Sequence, residues 1–282
     1  MKSDCRPWLL DPERRDPLIR LYRKDKGFAT PGRVLKEMES QGLLETFPDG
    51  SQGLSRTGKL LAYNIEEFRI QVESGKIFSI LDKLNVFPGS IVLDVGCGGG
   101  QTLFALADRQ PSLFLGMDRD AEHLEIAQSL ALNFPLRNGS FAFQQADGNF
   151  LPVKDGSVDV LICRGVLHYL NIRQALQEMR RVLKPGGCIF IHAVGLRGYM
   201  EQVLKSNFLG KLHSLFVIFN GIFCLLTGRQ ITLKHKKRLV REIFFTVKSL
   251  RILEVMGFKI KSLESVPENF PVGHYALVAE KS

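Results

Sequence analysis

Apolar positions fall into two rhythms along the chain, and the switch between them marks out the elements. Between residues 58 and 87 they recur at Leu61, Ile65, Phe68, Val72, Ile77, Ile80, Leu81 and Leu84. That spacing is near 3.6 and predicts a helix, with a slip at Gly75 that predicts a kink or break. From residue 91 the apolar runs shorten and alternate with helical patterns. Residues 91–93, 112–117, 140–145, 158–163 and 188–194 read as strands, being β-branched or alternating and bounded by turn residues. Helices near 102–109, 121–134 and 171–183 separate them. The last of these is expected to end at Lys184, because LKPGG brings proline and glycine at residues 183–187. Residues 244–256 read as a further helix, and 258–265 and 274–280 as strands. Strand and helix in alternation predict a parallel sheet covered by helices on both faces.

Two segments stand outside that alternation. Residues 1–62 read as a helix over 16–26, a second from Thr30-Pro31 to about Gln41, a short hairpin around Pro48-Asp49-Gly50, and the start of another helix. Residues 195–246 interrupt the sheet after its fifth strand. Within them 212–226, LHSLFVIFNGIFCLL, is nearly all apolar, yet shorter than the roughly 20 residues a bilayer-spanning helix needs.

The chemistry concentrates in residues 91–100, IVLDVGCGGG. A strand ends at Asp94, breaks into Gly96, Gly98, Gly99 and Gly100, and passes into a helix. A carboxyl-terminal strand end of this kind is where an open α/β sheet binds a nucleotide-like ligand. There is no Gly-Lys-Ser/Thr ending, which excludes a P-loop, and Gln101 stands where the dinucleotide fingerprint wants glycine. The spacing Asp94-x-Gly96-x-Gly98-x-Gly100 resembles motif I of the class I S-adenosylmethionine-dependent methyltransferases, of the type 11-like group. Four further pieces follow in order: the strand ending at Asp118, the strand before Ala146-Asp147-Gly148, DGSVDVLICRGVLHYL at 155–170, and LKPGG before the fifth strand.

The resemblance implies an α/β, Rossmann-like, mostly parallel seven-stranded sheet ending in an antiparallel hairpin, over residues 63–282, with a helical cap inserted at about 195–246. It implies S-adenosyl-L-methionine as cofactor and methyl transfer to a small acceptor. Asp94, Gly96, Gly98 and Gly100 form the turn, with Cys97 contributing backbone. Asp118 takes the ribose hydroxyls, Met117 and Arg119 flank the adenine, and Asp147 and Gly148 hold its edge. Arg164 faces the methionine part or the substrate. The Arg164-Gly165 pair departs from the small polar residue commoner there, and an arginine could greet a carboxylate. In such enzymes the leading helix passes over the cofactor, so Tyr63 and Phe68 are candidates to cover the methionine end. His168 is the available general base, should the acceptor need one; Tyr169 is in the same position, and His192 reads as a core histidine.

The 1–62 segment looks like a winged helix. It is similar both to the N-terminal module of small-molecule O-methyltransferases, which dimerises and lids the substrate site, and to winged-helix transcription factors. A DNA-binding regulator that senses the cofactor is therefore the alternative function. Against it, Arg33 and Lys36 are offset by Glu37 and Glu39, and the wing tip carries Asp49. Nucleic acid is accordingly not an expected partner, whereas a homodimer through this module is.

Composition narrows the rest. The chain has 282 residues, 45% hydrophobic and 24% charged, which suits one domain-sized core and an appendage. Its five cysteines are scattered without a C-x-x-C pair, so no metal site or disulfide framework is indicated, and no signal-peptide core opens the chain. A cytoplasmic setting is expected. The net charge of +9 is uneven: residues 203–248 hold nine Lys/Arg and one acid, Glu242. Apolar plus basic is the composition of interfacial helices. The cap is thus expected to have a greasy inner surface and a basic outer one, acting either as a buried lid or as a lid for a lipophilic acceptor that also docks on anionic membrane.

Overall fold

The computed structural model describes residues 5–25, 27–73, 81–235, 238–265 and 273–282. The first helices are α1 (Arg6–Leu10), α2 (Pro12–Arg23) and α3 (Gly32–Ser40), followed by the hairpin β1 (Leu44–Thr46) and β2 (Gln52–Leu54). Helix α4 (Arg56–Phe68) starts at Ser55, whose Oγ accepts from Gly58 N, and passes into a π-turn at Arg69–Glu73. The slip expected at Gly75 lies outside the described residues.

The sheet strands are β3 (Ile91–Val95), β4 (Leu113–Asp118), β5 (Ser140–Gln145), β6 (Val158–Arg164) and β7 (Leu183–Val194). Helices α5 (Gln101–Ala105), α6 (Ala121–Ala131) and α7 (Ile172–Val182) separate β3 from β4, β4 from β5, and β6 from β7. The cap follows as α8 (Leu196–Lys205), α9 (Phe208–Thr227) and the hairpin β8 (Leu233–His235) and β9 (Arg238–Val240). The chain ends with α10 (Val247–Leu250), α11 (Ile252–Val255), β10 (Phe258–Ser265) and β11 (His274–Lys281).

Seven strands form one sheet in the order β10-β11-β7-β6-β3-β4-β5. Strands β7, β6, β3, β4 and β5 are parallel, and β11 pairs antiparallel with both β7 and β10. This is the expected Rossmann-like sheet with its antiparallel end. Alternate residues face opposite layers. Leu93, Leu161, Ile189 and Ile191 pack with Leu176 and Met179 of α7, while Val92, Phe114, Val160 and Ile162 pack in the layer behind.

The N-terminal helices join that second side. Trp8, Leu18, Met38, Leu61 and Ile65 share one apolar cluster with Phe104, Ile126 and Leu130 of the sheet's own helices. Helix α4 runs straight through residue 62, because its apolar face is continuous across that position. Trp8 is fully buried and donates from Nε1 to Gln41 Oε1 at 2.8 Å.

Three local expectations change. In the LKPGG stretch β7 already begins at Leu183, which pairs with Val158; pairing resumes only at Cys188 with Val160, and Gly186 takes φ +74°, so the expected turn lies as a bulge inside the strand. Lys184 Nζ reaches both oxygens of Asp159 at 2.8 Å, and Asp159 in turn accepts from Ile91 N, so one carboxylate holds three strands in line. Residues 244–246 are extended, and Phe245 bridges Gly195. Only then does a capping box at Thr246 and Ser249 start α10, since each satisfies the other's backbone amide.

The third change concerns the cap helix. The polar and small residues of α9 point inward, with Ser214 1% exposed and Asn220 fully buried, whereas Phe208, Leu212, Leu215, Phe219 and Leu226 are 49–81% exposed. The greasy surface is outside. Asn220 fixes this orientation: its Nδ2 donates to the carbonyls of Ile231, Arg241 and Glu242, and its Oδ1 accepts from Ile231 N at 2.7 Å. A buried amide with all its partners in place costs little, but turned outward it would leave those backbone groups unpaired.

Candidate functional site

At the carboxyl ends of β3, β4 and β5 lies a cleft of about 890 Å³. The turn after β3 builds its floor. Gly96 N and Cys97 N both donate to Met117 O, at 2.7 and 3.0 Å, which draws the turn against the end of β4. Gly96 has φ +76°, and a Cβ there would lie 2.3 Å from Val166, so only glycine fits. Gly100, with φ +82°, opens α5.

Asp118 ends β4 and is the hub of the cleft. Its Oδ2 accepts from Gly98 N at 3.0 Å, and its Oδ1 from Asp120 N at 2.9 Å. Burial pushes its pKa up, but His123 and the amides of Asp120 and Gly98 outweigh that and hold it below the usual carboxylate value. It is therefore an anion at neutral pH, aimed into the cleft beside Arg119.

Asp147 and Gly148 form the opposite wall. Asp147 Oδ1 accepts from Asn149 N and Nδ2, at 2.9 and 2.6 Å, which curls the loop after β5. Asn149 Oδ1 then accepts from Asn171 N, tying the loop to the start of α7. Gly148 sits between Leu170 and Val95, where a Cβ would meet Leu170 at 2.9 Å.

Of the residues singled out from sequence, Gly96, Met117, Asp118, Arg119, Asp147, Gly148 and Tyr169 line the cleft together. Asp94, Cys97, Gly98, Gly100, Arg164 and His168 stand behind it. Asp94 is 1% exposed, and neither carboxylate oxygen has a hydrogen-bond partner. Burial raises its pKa to about 7; Arg164 opposes that rise and Asp118 adds to it. Cys97 is buried, and burial raises its thiol well above the ordinary value, so it acts as a small packing residue.

Arg164 does not stand free: its Nη2 donates to Glu67 Oε2 of α4 at 3.0 Å. His168 is 4% exposed, its Nδ1 has no partner, and burial lowers its pKa to about 4. It is a neutral imidazole, and a weak base as it stands. His192 is buried too, with Nε2 3.2 Å from His274 Nδ1.

Neither Tyr63 nor Phe68 lines the cleft. Phe68 packs on Phe104 and Phe134 in the apolar cluster, and Tyr63 lines a separate groove with Tyr22 and Lys59. What α4 brings to the site is polar and was missed. Asn64 is fully buried; its Oδ1 accepts from Gly99 N and Gln101 Nε2, both at 2.8 Å. Gln71 Oε1 accepts from Thr102 Oγ1 at 3.0 Å. These residues clamp the glycine turn from outside. A polar residue on the apolar stripe, Asn64 one step before Ile65, is the signal that could have found them.

The cap also reaches the cleft. Leu239 and Arg241 line it from above, with Tyr169 and Val166. At the rim Arg56 bonds Asp120 and Glu122, at 2.9 and 3.1 Å. Among the described residues no cluster of His, Cys, Asp or Glu could hold a metal.

Residues 93–191 match the family model described as a methyltransferase domain. The chain is 32% identical over 128 residues to the methyltransferase GfsG of Streptomyces halstedii, covering 45% of this chain and 46% of that one. It is 32% identical over 141 residues to the tRNA N(3)-cytidine methyltransferase METTL2 of Bos taurus, covering 44% and 37%. The chain thus spans less than half the length of these curated relatives. A crystal structure of a SAM-dependent methyltransferase from Methanosarcina mazei superposes with a TM-score of 0.51 at 19% identity, over 72% of this chain and 96% of that one.

The site suits S-adenosylmethionine. An unpaired buried carboxylate is costly unless a cation answers it, and this cofactor carries positive charge at its ammonium and sulfonium. The cleft has a fixed anion at Asp118, a group able to accept from hydroxyls, and glycines that allow a close approach. Residues 93–191 thus form a class I S-adenosylmethionine-dependent methyltransferase domain.

Proposed function

We propose that this protein transfers a methyl group from S-adenosylmethionine to a small lipophilic or amphiphilic acceptor. One observation carries the acceptor class. The cap residues Leu239 and Arg241 line the same cleft as Asp118 and Gly148, so an acceptor would enter against an apolar wall with a single cation. The bound cofactor supplies an activated methyl on a sulfonium, and the protein's task is to hold, orient and dry the reactants. Asp118 and Asp147 fix the adenosine end, and Asp94 answers the cationic end through its unpaired carboxylate. Tyr169, Leu170 and Leu239 exclude water. Arg241 orients an acceptor that bears negative charge. His168, kept neutral by burial, packs beneath Tyr169, with ring centroids 4.0 Å apart. Arg164, held by Glu67, places a positive charge behind Asp94.

The exposed apolar face of α9 and the cations around it support a second element of this reading, contact with an anionic membrane surface. By length and composition α9 passes for a spanning helix. Yet Asn220 and Gly221 bind one side of it to the protein, Gly221 against the ring of Phe244. A helix so held lies on a bilayer rather than through it. The DNA-binding alternative finds no such support: Arg33 of α3 is paired with Glu13, and Arg14 with Glu37.

The test is a transfer assay with methyl-labelled cofactor and a cell extract, separated into organic, aqueous, protein and nucleic-acid fractions. Label in the organic fraction, absent with Asp118→Ala, is the expected result. Label in the RNA or protein fraction would overturn the acceptor class and leave methyl transfer standing.

A further inference from the structure

Beneath the carboxyl-terminal half of α9 is a second cavity, of about 760 Å³. It lies between the cap helix, the first turn of α7 and the α10–α11 segment. Arg173, Arg229, Arg241, Lys248 and Arg251 line it, and no acid does. The two acids of the cap are taken elsewhere: Glu242 by His213 Nε2 at 3.0 Å, and Glu201 by Arg197 and Lys205 of its own helix. Arg173 lies against Gly228, the left-handed cap of α9, where a cation suits the helix's negative end. The other four have no such structural task, and none of the five is ion-paired among the described residues.

The floor is apolar: Ile243, Phe245, Leu225 and Ile252 line it with the half-buried Cys224. An apolar pocket of this size suits a small molecule with a chain, and five cations without a counter-charge suit an anionic head. The same end of α9 exposes Ile222 and Leu226, so the cavity opens beside the outer apolar stripe. Arg241 also lines the cofactor cleft, and the two sites share that wall.

We propose that this cavity binds one anionic phospholipid, drawn from a membrane surface on which α9 lies. The phosphate meets the arginines and lysine, and an acyl chain covers Ile243 and Phe245. The proposal rests on the membrane-surface element of the function above and is independent of methyl transfer.

Cys224 reports occupancy. The full-length protein is alkylated with N-ethylmaleimide, and modification at Cys224 is followed by peptide mass, with thermal shift as a second readout. Soluble dihexanoyl-phosphatidylglycerol, kept below its micelle concentration, is expected to slow alkylation about tenfold at saturation and to raise the melting temperature. Dihexanoyl-phosphatidylcholine and inorganic phosphate are expected to do neither. Lys248→Gln/Arg251→Gln should abolish the protection. Lys205→Gln/Lys211→Gln, which removes cations outside the cavity, should preserve it. Equal protection by the choline lipid, protection by phosphate alone, or no effect of the glycerol lipid on either readout overturns the proposal. Flotation with vesicles of phosphatidylcholine, with and without phosphatidylglycerol, reads the surface contact separately. Vesicle binding with Cys224 left open overturns the cavity site alone; protection by the soluble lipid without vesicle binding overturns the membrane as its source.

Discussion

The cofactor half of the sheet and the cap that covers it obey opposite rules of polarity. In residues 91–150 the apolar side chains are inside, and the polar ones gather at the strand ends where a ligand sits. In α9 the amide of Asn220 and the hydroxyl of Ser214 are inside, and Phe208, Leu215 and Phe219 face out. The cap satisfies its buried amide within the protein, whereas the cofactor half leaves the carboxylate of Asp94 unpaired. They differ in what they present outward: polar groups around a cleft in the cofactor half, a row of exposed apolar side chains in the cap.

The sharpest break in the comparison comes at Asp118. Its carboxylate is already spent on two amides, so its loss removes both the anchor of the turn and the expected ribose acceptor. Charge-assisted hydrogen bonds contribute about 1.5–3 kcal/mol each. Asp118→Ala should therefore weaken cofactor binding by roughly 10²–10³-fold in calorimetric titration. A change below about fivefold would show that the cleft does not use this residue.

Asp94 tests the same half from the side of stability. Burial raises its pKa to about 7 from 3.8. Between those values the folded protein keeps a proton that the unfolded chain has released. Stability therefore falls as pH rises through this window, and the cost is complete above it. Asp94→Asn should raise the melting temperature of the cofactor-free protein at pH 8, by the equivalent of roughly 4 kcal/mol, and barely at pH 4. The same substitution should weaken cofactor binding about tenfold or more, because the cation loses its counter-charge. Stabilisation without loss of affinity would remove Asp94 from the site.

These two carboxylates were legible in the sequence, and the cap's orientation was not. Asp94, Asp118 and the glycines sit at strand ends whose place follows from hydrophobic period, so their order along the chain fixes their order in space. The cap has no such frame. LHSLFVIFNGIFCLL is apolar nearly all round, and composition does not say which side is covered. One buried amide settles it, through backbone carbonyls of residues 231, 241 and 242 that no local pattern announces. The clamp of Asn64 on the glycine turn and of Gln71 on Thr102 was not legible for the same reason: the partners lie 31 to 37 residues away. In LKPGG the turn-like composition is kept as an unpaired bulge between Leu183 and Cys188, and only the start of the strand moved to its near side.

Asn220 is then the cap's counterpart to Asp118. Asn220→Ala removes its bonds to Ile231 N and to the carbonyls of Ile231, Arg241 and Glu242, of which Arg241 O keeps Gln230 Nε2, and should destabilise the cap by about 2–4 kcal/mol. Limited proteolysis within residues 196–246 should accelerate, while cofactor affinity stays within about threefold. A comparable loss of cofactor binding would mean that the two halves are one cooperative unit, and the contrast drawn between them would fail.

The smallest effect on the fold is expected at the surface that looks most costly. Phe219 is 59% exposed and lies on the outer stripe of α9 with Leu215 and Ile222, one helical turn away on either side. Exposed side chains with no buried partner contribute little to stability, so Leu215→Ser/Phe219→Ser should change it by less than about 1 kcal/mol. If the stripe instead packed against the protein's own core, the same double change would cost several kcal/mol. Its consequence should appear elsewhere: adsorption to anionic vesicles should fall about tenfold or more, because two apolar anchors are lost from the interface. A dimer that covers the stripe makes a different prediction, since wild type would sediment as two copies and the double variant as one. Loss of vesicle binding with an unchanged monomer and an unchanged melting temperature is the combination that assigns this face to a membrane.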